Sequence, residues 1–188
     1  MTPLFCIVAL LAASDMAVAY MTSYDQPFDF LCPKGQVLSY LASQHSNYYN
    51  DRVWDFACGS VPTSMLNCSK SGYVNEMDQI LAFMCPAYAV VTGLESYHEN
   101  FYEDRRFKFQ CCELDMVELN ECYMTDFTNK YDETFAYTVP AGYVVASSAL
   151  TRTALKTGCG NCTSVRSRLC QVELRRLTYQ WLMDINLT

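Results

Sequence analysis

FYEDRRFKFQCCELD (residues 101–115) runs acids and arginines into alternating aromatics and then into two adjacent cysteines. An earlier stretch, YNDRVWDFACGSV (49–61), has the same order with a single cysteine. Side chains in a strand point alternately to its two faces. Phe107, Phe109 and Cys111 therefore share one face with Lys108 and Gln110 on the other, and Trp54, Phe56 and Cys58 share a face in the earlier copy. Both stretches predict β-strands that carry an aromatic face and close on a cysteine.

The duplication extends outward. YDQPFDFLCP (24–33), MDQILAFMCP (77–86) and YDETFAYTVP (131–140) begin 53 and 54 residues apart, each with an acid second, an aromatic seventh and a proline tenth. A short apolar run follows each proline: GQVLSYL (35–41), YAVVTGL (88–94) and GYVVASSAL (142–150). From the proline to the Asp-Arg pair is 18 residues in both of the first two units, and His45 and His98 fall at matching places. A fixed period of this length marks a repeated supersecondary unit. The richness in Tyr, Phe and Val with period-two alternation predicts an all-β fold. The expectation is one pseudo-three-fold domain over 20–188, with repeats at about 20–71, 72–121 and 122–173 and a terminal strand over 174–188. LRRLTYQWLMDI (174–185) fits a strand or a short helix equally well by pattern, and the strand is preferred.

Residues 1–19, MTPLFCIVALLAASDMAVA, are apolar and end in Ala17-Val18-Ala19, small residues at the places a signal peptidase reads. No Lys or Arg precedes the run, but it falls short of the ~20 apolar residues of a membrane span. Cleavage before Tyr20 and export are expected. Loss of Cys6 and Asp15 leaves ten cysteines, with 13 basic against 19 acidic side chains, a net charge of −6. An acidic chain argues against bulk nucleic-acid binding, which relies on basic surfaces. No later run is long and apolar enough for a transmembrane segment.

An even, dense set of cysteines in an exported chain reads as a disulfide framework. The repeat assigns an inner pair to each of the first two units, Cys32–Cys58 and Cys85–Cys111. The doubled cysteine then receives an outer bridge, Cys68–Cys112, whose third-unit counterpart is Cys122–Cys170. Val139 and Leu169 stand where the third inner bridge would be, as a packed pair would allow. Cys159 and Cys162 remain and pair locally. A redox reading of Cys159-Gly-Asn-Cys162 needs a low-pKa thiolate, usually at a helix N-terminus, and no helix signal follows it. No second Cys/His pair lies at zinc spacing.

Asp-Arg-x-aromatic-x-Phe before a cysteine, the Phe-x-Cys-Pro opening and the tyrosine-rich acidic composition resemble the dermatopontin family. SGYVNEMDQILAFMCP and TGLESYHENFYEDRRFKFQCC (within 71–112) are similar in style to its invertebrate hemagglutinin and amebocyte aggregation factor relatives. The resemblance covers about Tyr20 to Cys170. It is weak in the third unit, where Thr163, Ser164 and Val165 replace the Asp-Arg-aromatic block. It implies a secreted, non-enzymatic matrix or cell-adhesion protein that binds proteoglycans or glycosaminoglycans, matrix proteins or cell-surface glycans. A soluble defence lectin is the alternative, and related venom cytotoxins form a third class.

Asp51, Arg52, Trp54, Asp104, Arg105 and Phe107 carry the family motif. Arg52, Arg105 and Arg106 are candidate contacts for sulfate or carboxylate, to which a guanidinium donates in a fork. The structural alternative is a salt bridge to Asp51 or Asp104, or stacking on Trp54 or Phe107. Tyrosines offer a surface for sugar stacking, and Tyr102 and Tyr131 have the acidic neighbours that sulfation favours. Asn67, Asn161 and Asn186 head N-glycosylation sequons. His45 and His98 read as single strand or loop histidines rather than one metal site. Asp25, Asp78 and Asp132 recur once per unit, as turn or strand-start residues do. No phosphate loop or nucleophile elbow is present, so neither catalysis nor a cofactor is expected.

Overall fold

A computed structural model describes residues 19–86, 89–126, 128–130, 132–152 and 163–174. These residues form eleven strands and, among them, no helix. The strands are β1 (Phe28–Leu31), β2 (Gln36–Ser46), β3 (Asp51–Ser60), β4 (Met65–Lys70), β5 (Leu81–Met84), β6 (Ala89–Glu99), β7 (Asp104–Leu114), β8 (Val117–Met124), β9 (Phe135–Thr138), β10 (Tyr143–Arg152) and β11 (Thr163–Leu174).

Three long antiparallel hairpins, β2–β3, β6–β7 and β10–β11, each anchor a sheet. The sheet orders are β3-β2-β9, β1-β6-β7-β4 and β5-β10-β11-β8. The sheets do not coincide with the sequence units. The short strand that opens each unit crosses to the hairpin of another: β1 pairs with β6, β5 with β10, and β9 returns to β2. These pairings form a closed cycle, so no unit completes its sheet alone.

The crossings share one geometry. Each hairpin has a bulge in its first strand, between Leu38 and Tyr40, Val91 and Gly93, and Val145 and Ser147. The carbonyl of the bulged residue accepts from the amide just before a unit proline: Thr92 O from Cys32, Ala146 O from Cys85, and Ser39 O from Val139. A bulge adds one residue and sharpens local twist, which frees that carbonyl for the arriving strand. Gly93 is needed at one crossing, because a Cβ there would lie 2.6 Å from the Phe30 carbonyl oxygen.

The four described disulfides are the pairs read from the repeat: Cys32–Cys58, Cys85–Cys111, Cys68–Cys112 and Cys122–Cys170. Their roles separate by position. Each inner bridge joins two sheets: Cys32 follows β1 and reaches β3, and Cys85 follows β5 and reaches β7. The outer bridges staple neighbouring strands of one sheet, β4 to β7 and β8 to β11. Asn67 (φ 45°) and Glu121 (φ 45°) put a left-handed residue just before Cys68 and Cys122, at the irregularity in each ladder. Where the third inner bridge would stand, Val139 packs against the main core, which includes the fully buried Leu169. Cys159, Cys162 and residues 175–188 lie outside the described residues, as do residues 1–18 of the expected signal segment.

Alternation places the core as the pattern predicts. Phe107, Phe109 and Cys111 are buried while Arg106, Lys108 and Gln110 are half-exposed. Trp54 sits at the meeting of the units, edge-on to Phe107 (6.0 Å) and Phe135 (6.2 Å). A smaller cluster of Val37, Val90, Leu114, Val117 and Val144 packs separately.

Candidate functional site

The Asp-Arg motif opens β3 and β7. Each turn into it ends on a left-handed residue, Asn50 (φ 46°) or Glu103 (φ 48°). The aspartate carboxylates face back to their own units. Asp51 Oδ2 accepts from the Asp25 amide at 2.8 Å, and Asp104 Oδ2 from the Asp78 amide at 2.7 Å. The aspartates that donate these amides are left-handed as well, Asp25 (φ 59°) and Asp78 (φ 60°), as is their third-unit counterpart Asp132 (φ 58°). Asp tolerates this region better than most residues, which accounts for one acid per unit in the turn role expected of it.

The arginines face the other way. Arg105 donates from Nε and Nη2 to the two oxygens of Asp51 at 2.6 and 2.7 Å, and from Nη2 to the Gln26 carbonyl at 3.1 Å. Its guanidinium lies 5.6 Å from the centre of the Phe28 ring. Arg52 donates from Nε to Ser43 Oγ at 2.9 Å and from Nη2 to the Glu133 carbonyl at 2.7 Å, over Phe135. Burial holds the Arg52 guanidinium down to a pKa of about 10, partly offset by Asp132. The expected salt bridge to Asp51 is present, but it comes from Arg105 rather than Arg52, and the expected stacking on Trp54 or Phe107 is replaced by contacts over Phe135 and Phe28. The arginines do not pair with their adjacent acids or stack on their own strands; each reaches the opening segment of another unit. Sequence proximity favoured Asp104 for Arg105, but the closed cycle brings Asp51 to it.

With 4% and 5% of their surface exposed, Arg52 and Arg105 are closed to any outside anion. Arg106 alone of the three candidates reaches the surface. There it donates to Glu76 Oε1 at 2.8 Å and lies 4.7 Å over the Tyr73 ring. Lys108 shares the Tyr73 ring with it, Glu95 links Lys108 to Lys70, and Asp29 lies beyond Lys70. These contacts hold both lysines up and Glu95 below the usual carboxylate range. The face balances its charge internally.

The histidines are more deeply placed than single strand residues need be. His98 lies between Asp25 (3.6 Å) and Asp51 (3.4 Å) with its side chain 1% exposed, and His45 lies 3.7 Å from Asp132. Burial lowers the His45 pKa, with Asp132 opposing. Asp25, Asp51 and His98 are close enough to share an ion. Both Asp51 oxygens, however, are taken by Arg105, whose positive charge would repel a cation there.

The most exposed aromatics among the described residues lie at the hairpin tips. Tyr48 (86% exposed) stands edge-on to Tyr49 at 4.8 Å between β2 and β3. Phe101 (83% exposed) stands edge-on to Tyr102 at 4.9 Å between β6 and β7. Their 53-residue offset was visible in the sequence, yet only the hairpins show that both pairs are at tips. Asn67 is exposed in β4 with its amide donating to Glu113. Tyr131, Asn161 and Asn186 lie outside the described residues.

A family model described as Dermatopontin matches residues 22–172, from the first unit through β11. The chain belongs to the dermatopontin family. A dermatopontin from Biomphalaria glabrata is 38% identical over 127 residues, covering 68% of this chain and 85% of that protein. A hemagglutinin/amebocyte aggregation factor from Limulus polyphemus is 30% identical over 141 residues, 74% of this chain and 81% of the other. Millepora cytotoxin-1 from Millepora dichotoma is 38% identical over 122 residues, 65% of this chain but only 54% of that protein. No solved structure matches. In this dermatopontin-family chain the Asp-Arg block joins successive units, and the hairpin tips beside it expose aromatic rings. Family membership supports an extracellular adhesion or lectin-like role.

Proposed function

We propose that this dermatopontin-family protein is secreted and acts by binding, as an extracellular-matrix or cell-adhesion protein that engages glycans on proteoglycans, matrix proteins or cells. We read its three units, at about 20–71, 72–121 and 122–173, as copies of one repeat in pseudo-three-fold arrangement. The observation that carries the binding role is the pair of exposed aromatic tips, Tyr48–Tyr49 and Phe101–Tyr102. Tyrosine offers an apolar face and a polar edge together, which suits partners that are partly wet. The burial of Arg52 and Arg105 moves the expected contact from charge to ring surface. Tyr102, 45% exposed beside Glu103 and Asp104, is the described candidate for sulfation, and Asn67 for a glycan.

The lectin alternative, a soluble agglutinin like the Limulus relative, draws on the same duplication. Two similar ring pairs on one chain offer two contact points, and linked contacts gain avidity. Glycan-array binding tests the shared reading, and absence of binding to any glycan would remove it. Agglutination of cells blocked by free sugar then selects the lectin, whereas retention in insoluble tissue extracts selects the matrix role. The cytotoxin class rests on the Millepora relative alone, and leakage of vesicles by the protein would be its test.

A further inference from the structure

Two surfaces beside the tips, 53 residues apart in sequence, differ in the side chains that line them. In the first unit, Tyr20, Tyr24 and Tyr49 wall an open cleft of about 440 Å³, with Tyr24 and Tyr49 stacked at 4.6 Å. Thr22, Ser23 and the exposed Gln44 supply its polar groups, and Val53 lies at its floor. No charged side chain lines it. In the second unit, 53 residues on, Ser23 is replaced by Glu76, Tyr24 by Met77, Gln44 by Tyr97 and Val53 by Arg106. There the Arg106–Glu76 ion pair lies across Tyr73, the counterpart of Tyr20. An open cleft of about 410 Å³ also borders Tyr73 and Tyr97, but Asp29 and Glu95 line it, so the second unit's surface is charged where the first unit's is not.

We propose that the first-unit cleft is a binding site for an uncharged pyranose unit of a neutral glycan. This rests on the reading of the chain as a glycan-binding adhesion protein and adds the place and the ligand class. A pyranose presents a C–H face and a rim of hydroxyls. Tyrosine rings take the face, while a Gln amide both donates and accepts at the rim, as do Ser and Thr hydroxyls. Ring faces and polar groups share the wall in comparable measure, as a sugar's C–H face and hydroxyl rim require, and 440 Å³ is within the size range of small-ligand sites. A sulfated sugar would find no cation on the cleft wall. The nearest guanidinium, Arg52, is buried and already donates to Ser43 and Glu133.

The test is binding of the full chain to immobilised mannan, galactan and chitin, with heparin as the anionic comparison. All are repeated in about 1 M NaCl, where the Debye length is ~3 Å and exposed charge contacts are screened. The expected result is retention on at least one neutral glycan at high salt. Gln44→Ala, at an exposed position, is expected to weaken it at least tenfold. The double variant Ser23→Glu with Val53→Arg, which copies the second unit's ion pair, is expected to abolish it. If neutral glycans bind and neither variant weakens them, the site is wrong while the adhesion reading stands. If only heparin is retained and salt releases it, the ligand class is wrong. If nothing binds, both readings fall. Should the double variant misfold, Gln44→Ala alone decides.

Discussion

Arg105 shows how far a residue's meaning depends on its neighbours in space. Beside Asp104 in sequence it looks like half of an exposed ion pair or a glycan contact; in the fold it neutralises Asp51, itself 3% exposed. Removing one member of a buried pair strands the other's charge, at a typical cost of about 3–5 kcal/mol. Arg105→Ala is therefore expected to destabilise by about that much in urea unfolding. Combined with Asp51→Ala it should cost less than the sum of the two single changes, by roughly 1–3 kcal/mol of coupling. Strict additivity would show that Asp51 is not its partner. The motif itself was legible, because its recurrence before a cysteine marked it as scaffold. Its direction was not, since an arginine can reach any acid that the fold brings within a few ångströms.

At the scale of elements, the third unit replaces a disulfide with packing. Cys85–Cys111 closes a separation of 26 residues, and constraint of such a loop in the unfolded chain is worth about 3–4 kcal/mol. Cys85→Ser with Cys111→Ser is expected to lose most of that and to place two hydroxyls in the core beside Phe109. Cys85→Val with Cys111→Leu copies Val139 and Leu169 and should recover at least 1 kcal/mol of the loss, since apolar burial adds roughly 0.8 kcal/mol per methylene. Urea midpoints of the two double variants decide it, and equal midpoints would show that the third-unit solution does not transfer. Register in the sequence identified all four described bridges. That the inner ones link different sheets followed only from strands β1 and β5 leaving their own units to pair elsewhere.

For the whole molecule, the cycle of sheets places ionisable groups in its seams, and pH acts there. Burial lowers the His45 pKa below its ordinary value of 6.5. The unfolded chain therefore takes up the proton first, and stability falls as pH drops from about 6.5 toward the lowered folded value. Asp132, Asp51 and Asn47 oppose that shift and Arg52 adds to it, so the loss should be graded. Thermal melts between about pH 7.5 and 5 are expected to show a falling Tm that His45→Gln flattens; an unchanged slope would remove His45 as its source. The sequence alone determined the all-β class, the partners of the four described bridges and the family, because alternation and motif spacing are local and survive without knowledge of the fold. Only the tertiary structure decided that opening strands are exchanged in a cycle, that Arg105 belongs to Asp51, and that the first-unit cleft has no charged side chain on its wall while its second-unit neighbour does. Those depend on which surfaces meet, and a linear pattern holds no record of contacts between residues 50 to 100 positions apart.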